Sequence, residues 1–198
     1  MSIIEFQNVC FNDGKKNILE DISLKVEYGD FISIVGPSGG GKSTLLKLIS
    51  NLISPTKGSI SFKNKDIMQY SPIEVRQQCA YCYQLPYLFG NTVLENLAFP
   101  YEIREKKIDF DKINELLSLF KMNKDYINKN VGKLSGGEKQ RLALIRTLIF
   151  QPKVLLLDEI TSALDANNTL IVENIIKDLN QKGTTVLWVT HNLDQSKK

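Results

Sequence analysis

Gly36-Pro37-Ser38-Gly39-Gly40-Gly41-Lys42-Ser43, followed by Thr44, is the stretch on which the fold turns. It matches G-x-x-x-x-G-K-[ST], a pattern that carries meaning only between a strand and a helix. Both flanks are present. Phe31-Ile32-Ser33-Ile34-Val35 is short, apolar and β-rich, which predicts a strand ending at Gly36. From about Lys42 to Ser50 the sequence predicts a helix, with Pro55 and Gly58 as breakers beyond it. At such a junction glycines let backbone N–H groups converge on phosphate oxygens. The helix start at Lys42 adds partial positive charge at the same point. Lys42 is expected to reach the β- and γ-phosphates of a nucleotide, and the Ser43 hydroxyl to take a Mg2+ position. Gly36, Pro37, Ser38, Gly39, Gly40, Gly41 and Thr44 complete the phosphate site.

Such a site needs an acid at the end of a buried strand, and Val154-Leu155-Leu156-Leu157-Asp158-Glu159 supplies one. The run is apolar on both faces, as a central parallel strand should be. Asp158 then falls at the carboxyl end of the sheet, where ligands bind in α/β folds, and is expected to hold the metal shell. Glu159 beside it is placed to orient or deprotonate a water.

Around these two segments strand and helix signals alternate, the α/β pattern. Ile3 to Val9 and Ile22 to Val26 alternate as strands across the turn chemistry of Asn12 to Asn17. Ser59 to Phe62 and a short run between Gln78 and Gln84 read as further strands, and Thr185 to Val189 as the last. Helices are expected over Glu138 to Phe150 and about Asn168 to Gln181, with Gly183 as a stop. Between Asn91 and Lys129 helical spacing takes over. Ile113, Leu116, Leu117 and Phe120 fall at i, i+3, i+4 and i+7, one amphipathic face. The expectation is a single domain over residues 1–198, with a helical lobe inserted at about 88–135.

The length of 198 residues suits one domain with its own core. No apolar run approaches the roughly 20 residues of a membrane span, and the N-terminus lacks a secretory pattern. A net charge of +3, scattered along the chain, argues against a nucleic-acid partner. Of the three cysteines, Cys79 and Cys82 spell C-x-x-C. Residues three apart on a strand point to opposite faces, so they read as buried strand cysteines and not as a redox or metal pair.

Leu134-Ser135-Gly136-Gly137-Glu138, running into Lys139-Gln140-Arg141, resembles the signature of the nucleotide-binding subunits of ABC transporters. The resemblance covers nearly the whole chain. It implies the ABC type of P-loop NTPase fold, a mixed and parallel sheet core with an antiparallel β subdomain and a helical lobe. It also implies ATP and Mg2+ as ligands and a head-to-tail homodimer, in which this segment closes over ATP held by the other subunit. Gln84 matches the Q-loop glutamine, which senses Mg2+ and the attacking water. Ser162, Ala163, Leu164 and Asp165 match the D-loop at the dimer seam, and His191 the histidine that contacts the γ-phosphate. A separate integral membrane permease would be the partner, and the cytoplasmic face of the cell membrane the location. Tyr87, Leu88, Phe89, Phe99 and Tyr101 read either as lobe core or as a pocket for a permease helix.

Finer features resemble the ATP-binding subunits of bacterial Fet-type iron exporters, and also the ATPases of plant aluminium-tolerance transporters. They include Asp158-Glu159-Ile160-Thr161-Ser162, Tyr81-Cys82, Leu88-Phe89-Gly90, Phe99-Pro100 and Leu187-Trp188-Val189-Thr190-His191. Iron export is what this likeness implies. Two features depart from the family. Its adenine-stacking aromatic falls, by gap-free counting, on Asp13, leaving Phe11 or no residue for that role. The family also carries a further strand pair where this chain ends, at Lys198, and the expectation is that the pair is missing. The alternative reading is a soluble ABC ATPase acting on nucleic acid or ribosomes. Only 51 positions separate Gln84 from Ser135, and no heptad run fills them, which disfavours a DNA-repair type.

Overall fold

The computed structural model of the chain describes residues 1–190. In chain order the elements are β1 (Ser2–Asn12), β2 (Asn17–Glu27), β3 (Phe31–Ile34), α1 (Lys42–Ile49), β4 (Lys57–Phe62), β5 (Lys65–Asp66) and α2 (Pro72–Gln78). They continue with β6 (Cys79–Cys82), α3 (Val93–Glu102), α4 (Phe110–Leu119), α5 (Gly136–Leu148), β7 (Val154–Asp158), α6 (Ala166–Gln181) and β8 (Thr185–Val189). Two compact units emerge. The first comprises Met1–Tyr81, Pro152–Glu159 and the chain from Leu179, and the second Cys82–Gln151 with Ile160–Asp178.

The first unit holds two sheets. One runs in the order β2-β1-β4-β5, its pairings antiparallel. Its first hairpin closes on side-chain turns. Asp13 Oδ1 accepts the N–H groups of Lys15 and Lys16, both at 2.9 Å, and Asn12 Oδ1 accepts that of Gly14. The other runs β3-β8-β7-β6, with β8 parallel to both β3 and β7. Every residue of β7 and β8 is buried, which explains their unbroken apolar runs. Phe6, Phe62, Leu46, Ile49, Leu156 and Leu187 belong to one buried cluster that joins both sheets and α1. In register, Ile34 of β3 and Asp158 of β7 both pair with Val189. The phosphate loop and the acidic strand end therefore emerge at the same edge of the sheet.

The sequence predicts a strand from about Gln78, whereas β6 begins at Cys79. The preceding residues are taken by α2, which Ser71 and Glu74 start as a reciprocal cap with Pro72 in the first turn. Cys79 and Cys82 are both buried and no disulfide forms; burial pushes the Cys79 thiol far up, so it stays protonated.

The second unit is helical. The predicted stripe on α4 is observed: Ile113, Leu116 and Leu117 are buried, as is Phe120 just past the helix end. α3 packs against α5. Backbone bonds Val93 N–H to Lys129 O and Val131 N–H to Asn91 O fasten the start of α3 to the segment that leads into Ser135.

Candidate active site

In the first unit the loop after β3 bends back on itself before α1 begins. Gly41 sits at φ 81°, and a Cβ there would come within 2.7 Å of Leu19 Cδ2 and 3.0 Å of the Ile18 carbonyl. Only glycine meets both conditions. Lys42 is buried along its stem, and its Nζ donates to the carbonyls of Gly36 (3.0 Å) and Pro37 (2.9 Å). The ammonium is thus held against the loop that the sequence assigns to phosphate.

Ser43, one residue on, donates its hydroxyl to Asp158 Oδ1 at 3.0 Å. These residues are 115 apart in the chain, and the fold brings together two side chains that the sequence assigns separately to one metal. Tyr81 on β6, outside the phosphate loop, the acidic strand and the signature, donates its hydroxyl to the other oxygen, Asp158 Oδ2, at 2.6 Å. Asp158 is only 6% exposed, so both partners act in a largely dry setting. A serine hydroxyl that gives its proton to a carboxylate keeps its lone pairs for a cation. A hydroxyl and a carboxylate are hard oxygen donors, which fit Mg2+ completed by phosphate and water. Among the described residues no group of three or more His, Cys, Asp or Glu is placed to hold a metal ion.

Glu159 follows directly, half-buried, at φ 50°. Its N–H donates to the Val189 carbonyl at 3.0 Å, which holds it in this left-handed conformation. A non-glycine residue there is strained, and such strain gathers at functional sites. Phe11 packs half-buried against the core cluster, while Asp13 is engaged in its turn. His191 lies outside the described residues.

The second unit carries the other predicted residues. Ser135 is the N-cap of α5: its Oγ accepts the Glu138 N–H at 3.2 Å, and Glu138 Oε2 accepts the Ser135 N–H at 2.7 Å. The signature is thus also a capping box. Because Ser135 Oγ acts as an acceptor toward its own helix, its proton remains available to a phosphate. Ser135 and Gly136 are exposed, whereas Leu134 is buried as an anchor. Glu138 is pinned further by Tyr126 Oη (2.5 Å) and Lys129 Nζ (3.3 Å). Burial would raise the Glu138 carboxyl; hydrogen bonds from Tyr126, the Ser135 N–H and Lys129 outweigh it and bring the pKa down to about 2. A Cβ added at Gly137 would lie 3.4 Å from Leu164 Cδ2, so the signature and the 162–165 turn are neighbours. Asp165 caps α6 through the Asn168 N–H (2.8 Å), which lowers its carboxyl pKa.

Gln84 is exposed just past β6. The chain around it is held by α5 and α3. Gln140 Nε2 donates to the Tyr83 carbonyl (3.2 Å), and Arg146 to the Tyr87 carbonyl (2.8 Å) and Asn96 Oδ1 (3.0 Å). Asn96 also brackets Phe89, donating to its carbonyl and accepting its N–H. The aromatic stretch divides. Tyr101 is buried against Phe150, Phe89 and Phe99 stack edge-on, and Tyr87 stands 75% exposed beside Leu85 at 80%. Gln140 and Asn96 are fully buried polar residues on helices, a sign visible in the sequence only once the apolar face of each helix is fixed.

A family profile described as ABC transporter matches residues 19–162. The chain belongs to the ABC transporter family. It is an ATP-binding, ATP-hydrolysing cassette of that family. The cassette is 46% identical, over 98% of its length and 86% of the relative's, to an Escherichia coli K12 protein described as probable iron export ATP-binding protein FetA. It is 37% identical to the lipoprotein-releasing system ATP-binding protein LolD of Leptospira interrogans, over 93% of this chain and 81% of that one. Among solved structures it resembles the dimeric ATP-binding cassette MJ0796 bound to ADP and Pi. That likeness has a TM-score of 0.86 and 28% identity, over 98% of this chain and 90% of that one.

Proposed function

We propose that this cassette powers the export of iron through a separate membrane permease, working as a head-to-tail pair of ATPase subunits with Mg2+. The likeness to FetA over nearly the full chain supports iron as the cargo. Among the described residues no helix is long and apolar enough to cross a membrane. That supports a subunit seated on the cytoplasmic face of a partner permease. The exposed Leu85 and Tyr87, on a loop fastened to α3 and α5, support this face of the second unit as the permease contact.

The residues divide the reaction among themselves. Gly36 to Thr44 bind the phosphates, with Lys42 swinging from its loop carbonyls to the β- and γ-oxygens. Ser43 and Asp158 would hold Mg2+, with Gln84 the glutamine that the family resemblance assigns to the same metal, and the ion would supply charge neutralisation of the phosphates. Glu159 accepts a proton from the water as its oxygen bonds to the γ-phosphorus and the bond to the bridging oxygen breaks, releasing ADP and phosphate. His191 contacts the γ-phosphate. Ser135 and the N–H groups of Gly136 and Gly137 close on ATP held by the partner subunit, with Ser162 to Asp165 along the seam.

The test is total metal content of cells lacking this gene, grown with excess iron, against the parent. Higher retained iron, restored by the wild-type gene but not by Glu159→Gln, is the expected result. Unchanged iron in both strains would overturn iron as the cargo, and the same strains would then be profiled for other metals and for lipoprotein sorting, the task in LolD's name.

A further inference from the structure

Asp158 has two carboxylate oxygens, and each has a hydroxyl on it: Ser43 Oγ on Oδ1 at 3.0 Å, and Tyr81 Oη on Oδ2 at 2.6 Å. Ser43 is in the phosphate loop motif; Tyr81 lies outside the phosphate loop, the acidic strand and the signature. The geometry points to Tyr81 as a positioning residue for the metal-holding carboxylate, its phenol fixing the rotation of Asp158 so that Oδ1 stays turned toward Ser43 and the cation. This rests on the reading of Ser43 and Asp158 as the pair that holds Mg2+.

The last torsion of an aspartate is broad and two-fold, so covalent structure alone leaves the carboxylate free to turn. A donor on Oδ2 removes that freedom. The 2.6 Å separation is in the range of charge-assisted O–H···O⁻ bonds. The phenol is itself well placed to act as a fixed point. β6 is the neighbour of β7 in the sheet, and the Tyr81 ring packs half-buried against the core cluster. Three elements therefore converge on one side chain: α1 through Ser43, β6 through Tyr81, and β7, which carries Asp158. Groups that orient a ligating carboxylate from behind commonly set metal affinity by about 10–100-fold. A tyrosine that merely filled space would leave metal affinity alone.

The test uses the full chain with Mn2+ as a paramagnetic probe, its affinity measured by electron paramagnetic resonance in the presence of ADP. Nucleotide affinity in EDTA is measured alongside with a fluorescent ATP analogue. Tyr81→Phe keeps the ring that packs on the core. It is expected to weaken Mn2+ binding by about tenfold or more, while metal-free nucleotide affinity stays unchanged. Combined with Asp158→Asn it should add no further loss, because it acts through that carboxylate. Unchanged Mn2+ affinity in Tyr81→Phe would overturn the proposal, as would an equal loss of nucleotide affinity in EDTA. If Asp158→Asn and Ser43→Ala themselves leave Mn2+ affinity intact, the metal-pair reading fails and takes this proposal with it. The single-variant arms thus tell the two failures apart.

Discussion

Glu138→Gln in the signature isolates one charge from its geometry. The substituted amide can still accept the Ser135 N–H, so the cap is kept; what goes is the carboxylate that Tyr126 and Lys129 also hold. A carboxyl brought from the ordinary 4.5 to about 2 contributes up to roughly 3 kcal/mol of stability at neutral pH by linkage. The Glu138 side chain is only 15% exposed, so solvent screening trims this modestly. The amide retains part of the hydrogen bonding, and a loss of about 1.5–2 kcal/mol is expected at pH 7. For a chain of this size that corresponds to a fall in Tm of about 3–8 °C. The folded-state pKa is depressed, so this stabilisation is complete well above pH 4.5 and fades as pH falls toward 2. About three quarters of it remains at pH 4 and about two fifths at pH 3. Urea unfolding of both proteins from pH 7 to pH 3 reads the gap directly. A gap that stays constant over that range, or no gap at pH 7, would refute the assignment of the depressed pKa to the folded signature.

Gly58→Ala should destabilise the first unit by about 2–4 kcal/mol. A Cβ at φ 77° would lie 2.4 Å from the carbonyls of Gln7 and Asn8, and thermal unfolding gives the answer. Glu159→Gln should lower turnover by at least about a hundredfold while ATP drives the protein to a dimer on size exclusion; a variant that stays monomeric with saturating MgATP would count against the composite site. Leu85→Ser with Tyr87→Ser removes only exposed apolar surface, so basal ATP hydrolysis should stay within about twofold while permease-stimulated hydrolysis is lost. Equal loss of both activities would place these residues in the fold and not at the partner surface.

The parts of the site that could be read beforehand are those whose physics is local. The phosphate loop announces itself through glycines between a strand and a helix. β7 does so through its apolar run ending in two acids. What stayed hidden depends on the tertiary fold. Tyr81 meets Asp158 across 77 residues, and nothing near Tyr81 in the chain hints at it until β6 is known to neighbour β7. Arg146 reads as an ordinary helix residue until its guanidinium is found on the Tyr87 carbonyl, 59 residues away. α2 is masked for a different reason. Ser71-Pro72-Ile73-Glu74 is a local helix start, outweighed by the strand pattern that follows it. The aromatic stretch after Gln84 could not be resolved beforehand because its members serve both purposes, Tyr101 buried and Tyr87 exposed.

Glu159, at φ 50°, occupies a conformation that glycine adopts without cost and that a side chain resists by about 1 kcal/mol or more. A library of variants at this position, screened for heat resistance alone, would therefore drift toward glycine and away from turnover. A lineage released from the need to hydrolyse ATP would be free to slide the same way.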